Sequence, residues 1–280
     1  MKFRNLILIS LLIFTSLQFS LHAQEYKQDI VVPLSKPGVS GSLKVNMMSG
    51  SIKVEGYSGK EVIVKATSGI AEKDNNDRED PDNNEEDVKG LKKISSNSFD
   101  LDIEEKNNEV EISSHDFRYT TDLEIKVPAN FSLTLKTVNN GNIQVTNVKG
   151  DHEISNINGD IVMSGISGSV VASSINGKIE ISFDEITPNK AMSFANMNQK
   201  IDLTLPGNTK ATLKMNSKMG EIYTDFDVEM VKTDPEVKQS PENNTYRVSI
   251  SKFITAKLNG GGPEFNFKNF NGNIIVRKKK

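Results

Sequence analysis

Three Asn-Gly pairs spaced 18 residues apart constrain the fold of this chain more than any other feature. They lie in NNGNIQVTNVKGDHEISNINGDIVMSGISGSVVASSINGKIEISF, at Asn140-Gly141, Asn158-Gly159 and Asn176-Gly177. An Asn-Gly pair between alternating apolar residues is typical of a β-hairpin, so a meander of hairpins is one interpretation. A meander gives no reason for residue types to match at a spacing of 18, because cross-strand partners are mirror-related about each turn.

Residue types nevertheless match along the whole period. Ile143, Ile161 and Ile179 share one column of the repeat, and glycines recur half a period later at Gly150 and Gly168. Residues one coil apart in a stacked structure lie about 4.8 Å from each other, where like side chains pack on like. The sequence therefore predicts an all-β fold, a single-chain right-handed parallel β-solenoid (β-helix) with about 18 residues per coil and irregular end coils.

The predicted organisation is a secretory leader followed by one long β domain. Lys2 and Arg4 precede the apolar stretch NLILISLLIFTSLQFSL, and LHA before Gln24 is typical of a cleavage site, which predicts a signal peptide over residues 1–23. An uncleaved anchor helix is the alternative, although the apolar stretch is short for a membrane span. Residues 24–280 are predicted to form a single β-solenoid domain, whose most regular repeats cover 131–205.

The segment AEKDNNDREDPDNNEEDVKG, residues 71–90, interrupts the strand-like pattern. It is dense in acidic and amide side chains and buries too little apolar surface to offset its ordering entropy, which predicts a mobile, solvated loop. Calcium binding is the alternative, since Ca²⁺ prefers clustered oxygen ligands, but the spacing of an EF-hand loop is absent.

The columns of the repeat separate buried positions from exposed ones. We interpret the Asn-Gly pairs as corners, where glycine adopts positive φ and stacked asparagine amides bond to one another at a buried site. The predicted structural corner ladder is Asn140, Gly141, Asn158, Gly159, Asn176 and Gly177. The predicted outward interaction face is a stripe of small hydroxyls, Thr146, Ser164 and Ser182.

Catalysis has little support in the residue pattern. The chain has no cysteine, and the acidic residues of the repeat share no column, so neither a thiol nucleophile nor a pair of facing carboxylates is indicated. His152 shares a column with Val170, which predicts a histidine at the edge of the core. We predict no enzyme activity, no catalytic or metal-binding residue and no cofactor; a polysaccharide-processing β-helix enzyme is the less favoured alternative.

The net charge of −3 gives no support for nucleic-acid binding, and the basic end RKKK is interpreted as a solvated tail. No second apolar span follows the leader, so no transmembrane span is predicted in the mature chain.

A family resemblance covers most of residues 41–276. The segment from DLEIKVP through NGNIQV, NGDIVM and NGKIEISF, with the closing GGGPEFNFKNFNGNIIV, resembles the putative-adhesin family of exported bacterial β-strand-repeat proteins, a domain of unknown function. The acidic insert at 71–90 and Gln199, where the repeat expects glycine, depart from that pattern.

The resemblance implies an exported, non-catalytic protein of the bacterial envelope or cell surface. The expected role is an adhesin-like scaffold that binds a protein or glycan of the cell envelope. A structural or stress-sensing envelope component is the alternative. The expected location is the periplasm, the outer membrane as an associated protein, or the cell surface.

Overall fold

The structure, a computed structural model, describes residues 26–70, 101–114, 119–139, 141–232, 236–242, 245–251 and 253–280. The elements assigned in these ranges are β-strands, which confirms the predicted all-β class. The predicted signal peptide (1–23), the acidic segment (71–90) and Asn140 lie outside the described residues.

Two rows of strands enclose one core. The first row, in order of neighbouring strands, is β1 (Tyr26–Pro33), β4 (Glu61–Ile70), β7 (Tyr119–Pro128), β3 (Ile52–Tyr57), β9 (Ile143–Thr146), β11 (Ile161–Ser174), β12 (Ile179–Ile186), β14 (Ile201–Leu205), β22 (Ile274–Lys278) and β16 (Ile222–Thr224). The second row is β5 (Asp102–Lys106), β6 (Glu109–Ser114), β2 (Gly41–Ser49), β8 (Phe131–Asn139), β10 (Lys149–Asn156), the second half of β11, β13 (Met192–Asn196), β21 (Glu264–Asn269), β15 (Ala211–Ser217), β20 (Ile254–Leu258) and β17 (Val228–Val231). A separate hairpin pairs β18 (Glu236–Glu242) with β19 (Thr245–Ser251).

Strand β11 belongs to both rows. Its residues 161–164 pair with β9 in the first row, and residues 167–174 pair with β10 in the second. Gly165 in the bend and Gly168 just after it have φ values of 64° and 127°, which glycine adopts without strain. The two rows are therefore one hydrogen-bonded sheet of 20 strands.

Alternation along the strands builds the core. In β7 every second residue from Thr121 to Val127 is buried, as expected for side chains that point to opposite faces of a strand. Phe194 and Phe267 pack with ring centroids 5.1 Å apart. Burying each such ring stabilises the fold by about 1.5–3 kcal/mol. The largest buried side chains are Phe131, Phe183, Phe194, Phe265 and Phe267.

The central strands pair in parallel at the predicted spacing. Ile161 lies opposite Ile143 on one side and Ile179 on the other, and all three are fully buried. The same column continues through Ile201 to Ile274. The side-chain columns expected for this part of the chain are therefore present.

The predicted right-handed parallel β-solenoid is nevertheless wrong for the fold as a whole. Antiparallel pairs join β1 to β4, β4 to β7 and β5 to β6 at one end of the sheet, and join both β15 and β17 to β20 at the other. The sheet is of mixed strand orientation and curves around the core as a nearly closed barrel.

Turn chemistry and strand order explain the difference. Asn107 and Asn108, with φ of 57° and 66°, form a tight turn that reverses the chain and pairs β5 with β6 antiparallel. A solenoid would also add each coil beside the preceding one. Here β3 lies between β7 and β9, and β21 lies between β13 and β15, so neighbours in the sheet are not neighbours in the sequence.

Candidate functional site

An open groove of about 630 Å³ lies on the outer face of the second row. Strand β21 pairs with β13 on one side and with β15 on the other, so the outward side chains of all three strands share one surface. Phe253 and Phe270 add aromatic rings to its lining. We call this surface the lysine groove.

Three lysines make the groove positively charged. Lys214 is half-buried on β15, Lys218 is exposed just after β15, and Lys268 is exposed on β21. None of the described residues that line the groove is an aspartate or a glutamate. The described lining therefore contributes positive charge and no negative charge of its own.

Aromatic rings position two of these ammonium groups. The Lys214 Nζ lies 4.7 Å from the centroid of the Phe253 ring, and the Lys218 Nζ lies 5.4 Å from that of Phe270. Both distances are within the roughly 6 Å range of cation–π attraction. These contacts restrict the two lysine side chains. Less side-chain conformational entropy is therefore lost when a ligand binds to them.

Apolar side chains form one border of the groove. Met197 is 48% exposed and Phe270 is 43% exposed, and Ile175 at the next corner is 41% exposed. Large apolar side chains clustered at the surface are typical of interaction sites. The groove therefore combines positive charge with apolar contact area.

Two asparagine oxygens lack partners beside this surface. Asn269 is 3% exposed, and its Nδ2 donates to the Gln199 carbonyl oxygen at 2.8 Å. The Oδ1 atoms of Asn269 and of Asn266 are buried and accept no hydrogen bond from the described residues. Leaving such an oxygen unsatisfied costs about 1–3 kcal/mol, so a donor that reaches either oxygen would be stabilised there.

Sequence reasoning missed the lysine groove. The alternation in TLKMNSK and EFNFKNF places Lys214 and Lys268 on the outward side of their strands, which is readable from the sequence. That the two strands are neighbours is not readable, because more than 45 residues separate them along the chain.

The predicted corner asparagines form a hydrogen-bonded series at an exposed corner. Asn158 donates to Asn139 at 2.9 Å, Asn176 to Asn158 at 2.7 Å, and Asn198 to Asn176 at 2.7 Å, in each case from Nδ2 to Oδ1. The expectation that this corner is buried was wrong, because these amides are open to solvent.

The predicted corner glycines are needed for close approach and not for positive φ. Gly141, Gly159 and Gly177 are not among the described glycines with positive φ. A Cβ atom on Gly177 would lie 1.8 Å from the Gly159 carbonyl oxygen, and one on Gly159 would lie 2.0 Å from that of Gly141. Each corner therefore packs its backbone directly on the corner beside it.

A second, buried polar series caps these corners and was not predicted. The Asn156 Nδ2 donates to the Gly141 carbonyl at 2.9 Å, and the Asn196 Nδ2 donates to that of Gly177 at 2.8 Å. The Asn269 Nδ2 likewise donates to the Gln199 carbonyl oxygen. The carbonyl at this corner is therefore hydrogen-bonded in the same way, although the corner residue is not a glycine. The sequence signal is a polar residue at an inward position three residues before each corner, as in NING and ANMNQ.

The predicted hydroxyl face is not one continuous column. Thr146 lies opposite Ser164, and Ser182 lies opposite Thr204, but a register shift follows Met163 between β11 and β12. The three predicted residues stay a candidate face, separate from the lysine groove.

His152 is buried in the core. It is 3% exposed, lies between Leu133 and Val170, and neither ring nitrogen makes a hydrogen bond of normal geometry to a described residue. Burial lowers the pKa of His152 to about 4, although the charge of Asp151 and the nearby backbone of Val148 oppose the change. Its imidazole is neutral at pH 7 and does not reach the groove.

The basic C-terminal end is more ordered than the expected solvated tail. Arg277 donates to both carboxylate oxygens of Asp202, at 2.9 and 3.2 Å, and Lys200 reaches the same group at 3.0 Å. Burial by itself would raise the pKa of Asp202, but the hydrogen bonds from Arg277 and Lys200 hold it below its ordinary value. This network lies on β14 and β22, in the first row.

Among the described residues, no three His, Asp or Glu side chains are grouped so that they could hold a metal ion. The same part of the chain contains no helix that is both long and apolar enough to cross a membrane.

Comparisons with known proteins give likenesses to solved structures only. No family model matches the chain, and no curated protein matches it either. A putative cell adhesion protein from Clostridium sporogenes is similar at 12% identity and a TM-score of 0.47, over 91% of this chain and 100% of that one. A putative adhesin from Bacteroides fragilis is similar at 8% identity and a TM-score of 0.35, over 92% and 98% of the two chains.

A putative lipid binding protein from Parabacteroides distasonis is similar at 8% identity and a TM-score of 0.27, over 91% of this chain and 97% of that one. Two of these three proteins are named for adhesion and the third for lipid binding.

Proposed function

We propose that this protein is an exported, non-catalytic, adhesin-like binding protein that holds an anionic ligand of the cell envelope in the lysine groove. One observation carries the proposal: Lys214, Lys218 and Lys268 converge from two strands on a groove whose described lining has no carboxylate.

The groove combines the features that binding requires. Exposed lysines attract an anion over a distance and orient it. Phe270 and Met197 add apolar contact, and the asparagines add directional hydrogen bonds. The strands beneath are rigid elements, so little ordering energy is lost when a ligand binds.

Binding is favoured over catalysis by the groups that the groove presents. General acid–base catalysis most often uses an imidazole or a carboxylate in contact with the substrate. The described lining of the groove has neither, while His152 is buried in the core and Asp202 is paired with Arg277 in the other row.

An adhesion assay with a charge-reversed groove tests the proposal. Lys268→Glu should weaken retention of the protein on isolated envelopes of its own cells by about tenfold, because it places a negative charge inside the groove. Lys136→Glu is the matched control, since Lys136 occupies the same outward column as Lys268 but lies four strand positions away, about 19 Å. Equal retention of the two variants would refute the groove as the binding site.

A further inference from the structure

We infer that the ligand of the lysine groove is an acidic polysaccharide, a sugar chain that carries carboxylate or sulfate groups. The inference rests on the proposed function and names the chemical class of its ligand.

The lysines form a line and not a single anion pocket. Asn266 lies opposite Lys214 and Lys268 lies opposite Asn216, so Lys214 and Lys268 are diagonal neighbours on adjacent strands. Their Cβ atoms are then about 7–8 Å apart. Lys218 follows Lys214 by four residues, roughly 13 Å further along the chain at about 3.3 Å per residue. Cations spread over this length suit a ligand whose charges repeat along a chain.

The floor of the groove admits a flat polymer. Ser173 lies opposite Ala195, which in turn lies opposite Lys268, so two small side chains precede the lysine in its column. The column continues to Ser155, whose hydroxyl accepts a hydrogen bond from that of Ser173 at 3.2 Å. The floor beside Lys268 is therefore shallow and polar.

The remaining lining matches the two kinds of surface that a sugar ring presents. Met197 and, at the next corner, Ile175 offer exposed apolar area for the C–H faces of a ring. Asn266 adds an amide to the lining and Ser173 adds a hydroxyl, which are polar groups of the kind that bind sugar hydroxyls.

Two other polyanions fit less well. The acyl chain of an anionic lipid needs an enclosed apolar lining, whereas this groove is open and lined in part by amides such as Asn216. Single-stranded nucleic acid needs free aromatic faces on which bases can stack. The ammonium groups of Lys214 and Lys218 lie over the rings of Phe253 and Phe270.

Titration with defined polymers tests the inference. We expect the purified protein to bind polygalacturonate and dextran sulfate, to bind dextran and carboxyl-reduced polygalacturonate at least about tenfold more weakly, and to lose affinity as salt is raised. Lys268→Glu and Lys218→Glu should each weaken binding of the acidic polymers by about tenfold, and Lys136→Glu should leave it within about twofold. Circular dichroism and thermal melting confirm that the variants are folded.

Each outcome separates the inference from the function on which it rests. If Lys268→Glu abolishes retention on envelopes but the acidic polymers neither bind nor compete, the groove is a binding site and the polysaccharide inference is wrong. Preferential binding of anionic phospholipid vesicles, or of single-stranded DNA, by the same lysines would overturn it equally. If the groove variants change neither retention nor polymer binding, both proposals fail.

Discussion

Acidification should destabilise this protein through His152. The imidazole lies in an apolar column between Leu133 and Val170, where burial lowers its pKa from the ordinary value of 6.5 to about 4. A pKa that is lower in the folded than in the unfolded chain means that the unfolded chain binds the proton more tightly. Folding stability therefore decreases as the pH falls below about 6.5 and levels off near pH 4.

The size of the effect follows from the two pKa values. Their separation corresponds to about 3 kcal/mol when the histidine is fully titrated. At pH 5, about 2 kcal/mol of this should already be lost relative to pH 7.5. Asp202 and Asp151 have lowered pKa values in the folded chain, so their ionised forms stabilise it. That stabilisation is lost only as the pH falls below about 3.9, the ordinary pKa of an aspartate, and so it does not affect the comparison between pH 7.5 and 5.

Urea unfolding at pH 7.5 and pH 5.0 measures the loss. His152→Leu should remove about 2 kcal/mol of the difference in unfolding free energy between the two pH values and should raise stability at pH 7.5, because leucine matches its apolar neighbours. His152→Gln should remove the same pH dependence without the gain at pH 7.5, since its amide stays buried without partners. If the wild type and both variants lose equal stability between pH 7.5 and 5.0, the assigned environment of His152 is wrong.

Two further predictions concern the corners. Gly177→Ala should lower the unfolding free energy by about 1–3 kcal/mol or more, because the new Cβ would lie 1.8 Å from the Gly159 carbonyl oxygen. Gly69→Ala is the control and should be nearly neutral, since nothing lies within 4 Å of the added Cβ. Equal losses in the two variants would contradict the assigned packing. Asn196→Ala should cost about 1–3 kcal/mol, because it removes a buried hydrogen bond to the Gly177 carbonyl. Asn198→Ala, at the exposed end of the other asparagine series, should cost less than about 0.5 kcal/mol in the same urea titration, and the reverse ranking would refute the assignment of the buried series.

The parts of the fold that sequence predicted are those governed by a local rule. Alternation with a period of two assigns inward and outward positions, and the 18-residue spacing places Ile161 between Ile143 and Ile179. Both rules act between residues whose relation is fixed by the repeat itself. Neither rule predicts strand pairing outside the repeat. The antiparallel strands β1, β4 and β20 complete the sheet there.

The order of the strands depends on which apolar faces meet in the folded chain. Ile52 pairs with Ile143 although more than 80 residues separate them, and its column is built from the same residue type as the regular repeat. The segment SGSIKV, which resembles the repeat motif, therefore indicates that its isoleucine joins the isoleucine column. It does not indicate its neighbours, because every isoleucine column offers the same partner.

The same ambiguity explains why the proposed binding surface cannot be found from the sequence. Asn-Gly corners dominate the sequence because close backbone packing restricts what can replace them, and Gly177 shows how severe that restriction is. Lys214 and Lys268 face no such restriction, since an outward position accepts almost any polar residue, so nothing in either strand alone sets them apart. They form part of the proposed site only because β21 lies between β13 and β15. A binding surface of this kind is specified by the pairing of distant strands, and so it is readable only once that pairing is known.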